Sequence, residues 1–268
     1  MSTVGAIRGL ALSCHPGPTV AVTTFTALLA ASAGHTLPRG LLVTAAVFAG
    51  QLSIGWSNDL IDSTRDRAVG RGDKPIARGD VAEGTVRIAT ITALAACVLL
   101  SFACGIAAGT VHLVLGVASG WAYNLWFKRT PFSPLPYAVA FAILPAVVTL
   151  ALPRPEWPPA WVMVTGGLLG VGAHFLNALP DLADDAATGV QGLPHRLGAP
   201  VVRVMAPAVL LAGSVVAALG PGLDPTSAVL LVGCTVLAVI AVTAKGRVPF
   251  VAAIGIALLN VVSLVVHS

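Results

Sequence analysis

Charge is what this chain has least of. Asp, Glu, Lys and Arg make up 10% of its 268 residues, against 56% hydrophobic residues and a mean hydropathy of +0.90. That balance excludes a water-soluble globular domain and implies a polytopic membrane protein. Cysteine is sparse too: Cys14, Cys97, Cys104 and Cys234 show no C-x-x-C spacing, which argues against disulfides or zinc and assigns them as small buried hydrophobes. Lipid-facing and polar residues do not alternate, and the apolar runs are too long for barrel strands, so the spans are expected to be helical. No separate soluble domain or low-complexity tail is visible. The formal net charge of +4 is no nucleic-acid footprint, because the basic residues follow the membrane topology and suit anionic lipid headgroups.

Nine apolar runs are present, at residues 16–33, 41–56, 88–108, 111–127, 135–152, 161–179, 201–219, 228–244 and 248–266. Each approaches the roughly 17 to 25 residues that a bilayer requires. The expected fold is therefore an all-α polytopic membrane protein, nine transmembrane helices around a central cavity, in a single integral membrane domain over residues 1–268. With the N-terminus inside, thirteen basic residues collect on one side and only Arg39 and Arg154 on the other. By the positive-inside rule the thirteen face the cytoplasm, which in a bacterium makes this a plasma-membrane protein. Arg8 precedes an apolar stretch ending in Ala31-Ser32-Ala33, as in a secretory leader, but eight further spans argue that the segment is retained. The glycine pairs 105/109, 116/120 and 166/170 have the spacing of close intramolecular helix packing.

Two acidic clusters interrupt this hydrophobic background. The first, Asn58-Asp59-Leu60-Ile61-Asp62-Ser63-Thr64-Arg65-Asp66, follows the second run; the second, Asp181, Asp184 and Asp185, follows the sixth. Each would end the second helix of a four-helix group, which suggests an internal pseudo-repeat. Carboxylates beside hydrocarbon are costly unless they bind something or face a polar cavity. Asp59, Asp62 and Asp66 stand at i, i+3 and i+7, which puts them on one helical face with Asn58 beside Asp62. Acids converging on one cavity repel strongly, so cations must neutralise them or their pKa values must rise. Hard oxygen ligands without His or Cys clusters favour Mg²⁺, which keeps waters and bridges to phosphates. The stretch from about residue 62 to 85 is expected to be loop-rich, with Arg65, Arg71, Lys74 and Arg78 in it, while Lys128 and Arg129 end the fourth span. Metal and cationic side chains together suit a departing diphosphate whose charge grows as its bond to carbon breaks. A long apolar tail on that substrate would lie among the helices, so the implied reaction class is ionisation of a prenyl diphosphate.

At these residues the chain resembles the UbiA superfamily of intramembrane prenyltransferases. That family carries NDxxDxxxD after its second helix and DxxxD after its sixth; here they stand as Asn58, Asp59, Asp62 and Asp66, and as Asp181 and Asp185. The element Lys74-Pro75-Ile76-Ala77-Arg78-Gly79 and the pair Tyr123 and Lys128 extend the likeness over nearly the whole chain. Four residues separate Tyr123 from Lys128, a departure from the 4-hydroxybenzoate branch. The resemblance implies that Asn58, Asp59, Asp62, Asp181 and Asp185 bind Mg²⁺ and through it the diphosphate, with Asp66 holding metal or a basic neighbour. It further implies that Arg65, Lys74, Arg78 and Lys128 contact the diphosphate, and that Tyr123 lines the cavity near the reacting carbon.

The function these readings favour is Mg²⁺-dependent transfer of an isoprenoid group to an aromatic or other lipophilic acceptor. A membrane terpene cyclase and a phosphoribosyl-diphosphate:lipid-phosphate transferase share the motifs; a cation-coupled transporter is the rival from another class. Arg8 and His15 suit substrate contact and helix-end anchoring equally, and His174 fits a packed histidine better than a base. The five tryptophans near run ends fit an interfacial belt.

Overall fold

The computed structural model of the chain describes residues 3–68, 70, 72, 74–180, 182 and 189–267. Among the described residues every regular element is helical. Helix α1 (Thr3–Ser13) and α2 (Pro16–Ser32) are separated by His15, which takes φ 55° and ψ 67°. Pro16 then occupies the first turn of α2, where a missing N–H costs no helical hydrogen bond. Helix α3 (Leu37–Ala68) is the longest, followed by the short α4 (Pro75–Arg78) and by α5 (Glu83–Ala103). Helix α6 (Ile106–Leu125) contains a π-helical segment, His112–Val117, and leads into a 3₁₀ turn at Phe127–Arg129. The remainder is α7 (Pro134–Leu150), α8 (Ala160–Ala178), short α9 (Leu193–Leu197), α10 (Ala199–Leu219), α11 (Pro225–Thr243) and α12 (Val248–His267).

Seven of these helices, α3, α5, α6, α8, α10, α11 and α12, are long and apolar enough to cross a membrane. Their outer faces carry bare aliphatics: Ile106 is 80% exposed, Leu99 73% and Val229 71%, which suits hydrocarbon and not water. Helices α2 and α7, assigned from the sequence as full spans, have 17 residues each. At about 1.5 Å per residue that is about 25 Å, shorter than the ~30 Å hydrocarbon core. The sequence also ends the second span at Trp56, whereas α3 continues unbroken to Ala68. Hydropathy falls there, but Asp59, Asp62, Ser63 and Asp66 all turn inward, and the Arg65–Asp62 pair at i, i+3 supports the extra turns. Arg65 is therefore helical rather than in a loop.

Packing follows chain order and then closes: α2 on α3, α3 on α5 and α6, α6 on α7, α7 on α8, α8 on α10, and α12 back onto α2. Two contacts are made at backbone distance. A Cβ placed on Gly55 of α3 would strike the Cys14 carbonyl, so the α1–α2 break rests directly on α3. On α8, Gly166 and Gly170 face the Phe141 and Tyr137 carbonyls of α7. Pro145 lacks the N–H that Phe141 O would otherwise accept, and this helical irregularity lies where α8 comes closest. The tryptophan belt is only partly realised. Trp126 and Trp157 are exposed, but Trp56 Nε1 donates to Leu10 O at 2.9 Å and Trp121 Nε1 to Ser53 Oγ at 3.3 Å, both inward. All four cysteines are free and buried.

Helix ends separate into two groups. His35 and Arg39, flanking the start of α3, hydrogen-bond the Val148 and Ala151 carbonyls at the end of α7. The far end of α3 instead meets the residues after α6, which brings Asp62 to Lys128.

Candidate active site

The carboxylates of the first motif are among the most deeply buried charges in the molecule. Asp59 is 3% exposed, Asp62 5% and Asp66 2%, so each needs a compensating partner. Asp59 Oδ1 accepts from Lys74 Nζ at 2.9 Å and lies 3.0 Å from His15 Nε2; Lys74 Nζ and His15 Nε2 are 3.3 Å apart. Lys74 reaches in because α4 is anchored by buried Pro75 and Ile76, and the left-handed turn at His15 projects the imidazole toward α3. Asp62 Oδ1 accepts from Lys128 Nζ at 2.5 Å, while Arg65 Nη2 lies 3.1 Å from Asp62 Oδ2 and 3.7 Å from Asp66 Oδ1. Lys128 is itself buried, at 4% exposure. Burial pushes its ammonium below the usual lysine pKa, opposed by the attraction of Asp62.

Asn58 stands beside this row and donates from Nδ2 to Asn124 Oδ1 at 2.9 Å. Tyr123, next to Asn124 in sequence, belongs to an aromatic group. Tyr123 meets Tyr137 edge-on at 5.1 Å and His174 edge-on at 5.6 Å, and Tyr137 and His174 lie 4.9 Å apart. His174 Nε2 is 3.0 Å from Ser133 Oγ, which also accepts from Leu193 N at 2.9 Å, so the aromatic group is tied to the start of α9.

The structure thus brings together Asp59, Asp62, Asp66, Arg65, Lys74 and Lys128, with Asn58 and Tyr123 nearby. It does not bring Arg78 to them: that side chain is exposed and engages Asp80 and Gly72 O. Asp181, Asp184, Asp185 and Arg71 lie outside the described residues. Asn124, Ser133 and Tyr137 join the site without belonging to any motif. Asn124 had one signal, an amide inside an apolar run, and Tyr137 another, being one of only two tyrosines.

Among the described residues no three His, Cys, Asp or Glu side chains converge on a metal position. The helix explains why: residues 59 and 66 are about 10 Å apart along its axis, too far to close around one ion alone. The donor chemistry nevertheless fits a hard cation. Three buried carboxylates face one side of α3, all held by cationic groups, which makes the row an oxygen-donor set. Closing a coordination shell around one ion would take further oxygens besides these three carboxylates.

The UbiA prenyltransferase family model matches residues 20–264, and the chain belongs to that family. It is an integral, multi-pass membrane protein. Solved structures share the fold at low identity. A UbiA homologue from Aeropyrum pernix K1, in its apo form, aligns with TM-score 0.74 and 16% identity over 93% of this chain and 98% of its own. A UbiA homologue from Archaeoglobus fulgidus bound to GPP and Mg²⁺ gives 0.68 and 14% over 96% and 98%. A digeranylgeranylglyceryl phosphate synthase gives 0.69 and 15% over 98% of each chain. No curated protein sequence matches significantly.

Proposed function

We propose that this chain is a Mg²⁺-dependent prenyltransferase that ionises an isoprenoid diphosphate and passes the prenyl group to an aromatic or other lipophilic acceptor. The observation that carries this reading is the row of buried Asp59, Asp62 and Asp66, faced by Lys74, Arg65 and Lys128. The Archaeoglobus fulgidus homologue bound to GPP and Mg²⁺ supports it. Asn58, Asp59 and Asp62, with Asp181 and Asp185, would hold Mg²⁺, which when bound supplies positive charge to the diphosphate oxygens.

Lys74 and Lys128 approach the acids from α4 and from the end of α6 and present ammonium donors to the same oxygens. As the allylic C–O bond breaks, its electron pair leaves with the diphosphate and these donors stabilise the growing charge. The Tyr123, Tyr137 and His174 rings, packed against one another, provide π-faces for the allylic cation and exclude water that would quench it. The acceptor then forms the new bond and loses a proton to a base or to the released diphosphate. In this reading α2 and α7 cross the bilayer with the seven longer helices, and the motif end faces the cytoplasm.

The test is purified protein in detergent, Mg²⁺ and labelled geranylgeranyl or farnesyl diphosphate, with pyrophosphate release as the readout. Wild type is expected to release pyrophosphate, and Asp62→Ala to slow release by on the order of 10²-fold or more. Release from neither chain length with any acceptor, or an unaffected Asp62→Ala, overturns the reading.

A further inference from the structure

Asn58 and Asn124 meet across 66 residues of sequence, and the contact fixes more than packing. Asn124 is 2% exposed on α6, and its Nδ2 lies 2.9 Å from Ile54 O and 2.9 Å from Ser57 Oγ. Both neighbours dictate which end of the amide faces them. Ile54 O is a carbonyl and only accepts. The single Ser57 hydroxyl proton is committed to Ile54 O at 2.8 Å, so Ser57 Oγ also accepts. Asn124 must therefore turn its NH₂ group toward α3 at residues 54 and 57, which leaves Oδ1 for Asn58. An acceptor there obliges Asn58 to answer with its own NH₂ group. The orientation of both amides follows from the donor and acceptor inventory alone, independent of how amide nitrogen and oxygen are told apart.

One atom remains: Asn58 Oδ1. No described residue bonds it, and Asn58 sits one residue before Asp59 and four before Asp62, beside the carboxylate row. We propose that Asn124 is a positioning residue for the cation site, locking the Asn58 amide so that Oδ1 is offered to the metal and its NH₂ group is turned away. The proposal rests on the Mg²⁺ reading above. A hard divalent cation binds an amide through oxygen and never through the protonated nitrogen, so a freely rotating Asn58 would present the wrong end part of the time. Partners that orient a ligand in this way typically alter metal affinity by about 10- to 100-fold when removed.

The experiment measures metal binding without turnover. Mn²⁺ is titrated into the full chain in detergent, and free Mn²⁺ is followed by electron paramagnetic resonance. Wild type is expected to bind, Asn124→Ala to raise Kd by about 10- to 100-fold, and Asn58→Ala by at least as much. The double variant should be no weaker than Asn58→Ala, because Asn124 acts only through Asn58. A further loss in the double variant as large as the single Asn124→Ala loss would mean an independent structural role and overturn the proposal. Asn58→Asp tests it without disturbing position 124. A carboxylate is the better ligand, but it has no N–H for the locked Asn124 Oδ1, and two acceptors then collide. Weaker Mn²⁺ binding is expected; equal or tighter binding overturns the proposal. Binding lost in Asp62→Ala but unchanged in Asn124→Ala sinks this inference alone. No Mn²⁺ binding by wild type sinks the cation reading and this inference together.

Discussion

Lys128 shows how one residue is held between opposing demands. Its ammonium is buried and disfavoured by desolvation, yet it lies 2.5 Å from Asp62, which is equally removed from water. Deleting one member of such a pair leaves an uncompensated charge and typically costs about 3–5 kcal/mol, whereas replacing both is milder. Lys128→Met is therefore expected to lower thermal stability in detergent by an amount near the lower end, since Arg65 still reaches Asp62. Adding Asp62→Leu to it should recover part of the loss, even though activity falls further. If the double variant is as unstable as the two single effects summed, the pair is not coupled as described. At this scale the sequence disclosed the acids, because an aspartate beside an apolar run is conspicuous. It pointed to basic neighbours but not to the distant partners: His15 meets Asp59 across 44 residues and Asn124 meets Asn58 across 66, and no local spacing encodes such contacts.

The helical character and order of the apolar runs were legible, their extent less so, and seven of the nine runs correspond to helices long and apolar enough to cross a membrane. Hydropathy locates a hydrocarbon-facing stretch and stops where charge begins, so it truncated α3 at Trp56, although the helix is kept going by acids that turn inward. Helix ends on the far side from the motif are held by other means. Asp224 precedes α11 and accepts from Ser227 N at 2.8 Å, and its other oxygen lies 3.1 Å from His267 Nε2 at the end of α12. The Ser227 N–H, followed by the His267 contact, lowers the Asp224 pKa below the ordinary carboxylate value. A depressed carboxylate stabilises the fold above its unfolded pKa of about 3.9, and that contribution vanishes as pH falls through the lower folded value. Asp224→Ala should thus melt below wild type at pH 6, and the gap should close in acid below about pH 4. A gap that is constant with pH would assign the effect to packing rather than to the charged cap.

For the molecule as a whole, the sequence conveyed the class of fold through its hydrophobic excess and the family through two short motifs. The approach of α4 and α9 to the long helices had no hydropathy signature, since these are short elements set by tertiary packing, and the π-helical turns of α6 lie within an apolar run whose hydropathy does not distinguish them from α-helix. Orientation is open to direct test because the four native cysteines are buried and give a quiet background. Arg154 and Arg247 are both exposed and precede α8 and α12, respectively. With a membrane-impermeant maleimide on intact cells, Arg154→Cys is expected to label at once and Arg247→Cys only after permeabilisation. The reverse pattern would invert the assigned topology.

The seam between α7 and α8 carries one last implication. Where Gly166 and Gly170 face the Phe141 and Tyr137 carbonyls there is no room for even a methyl group. A polyisoprenoid chain is wider than a methyl group, so none passes between α7 and α8 at these two positions. Under the proposed function, a prenyl chain moving between the bilayer and the carboxylate row would cross the ring of helices somewhere other than these two contacts.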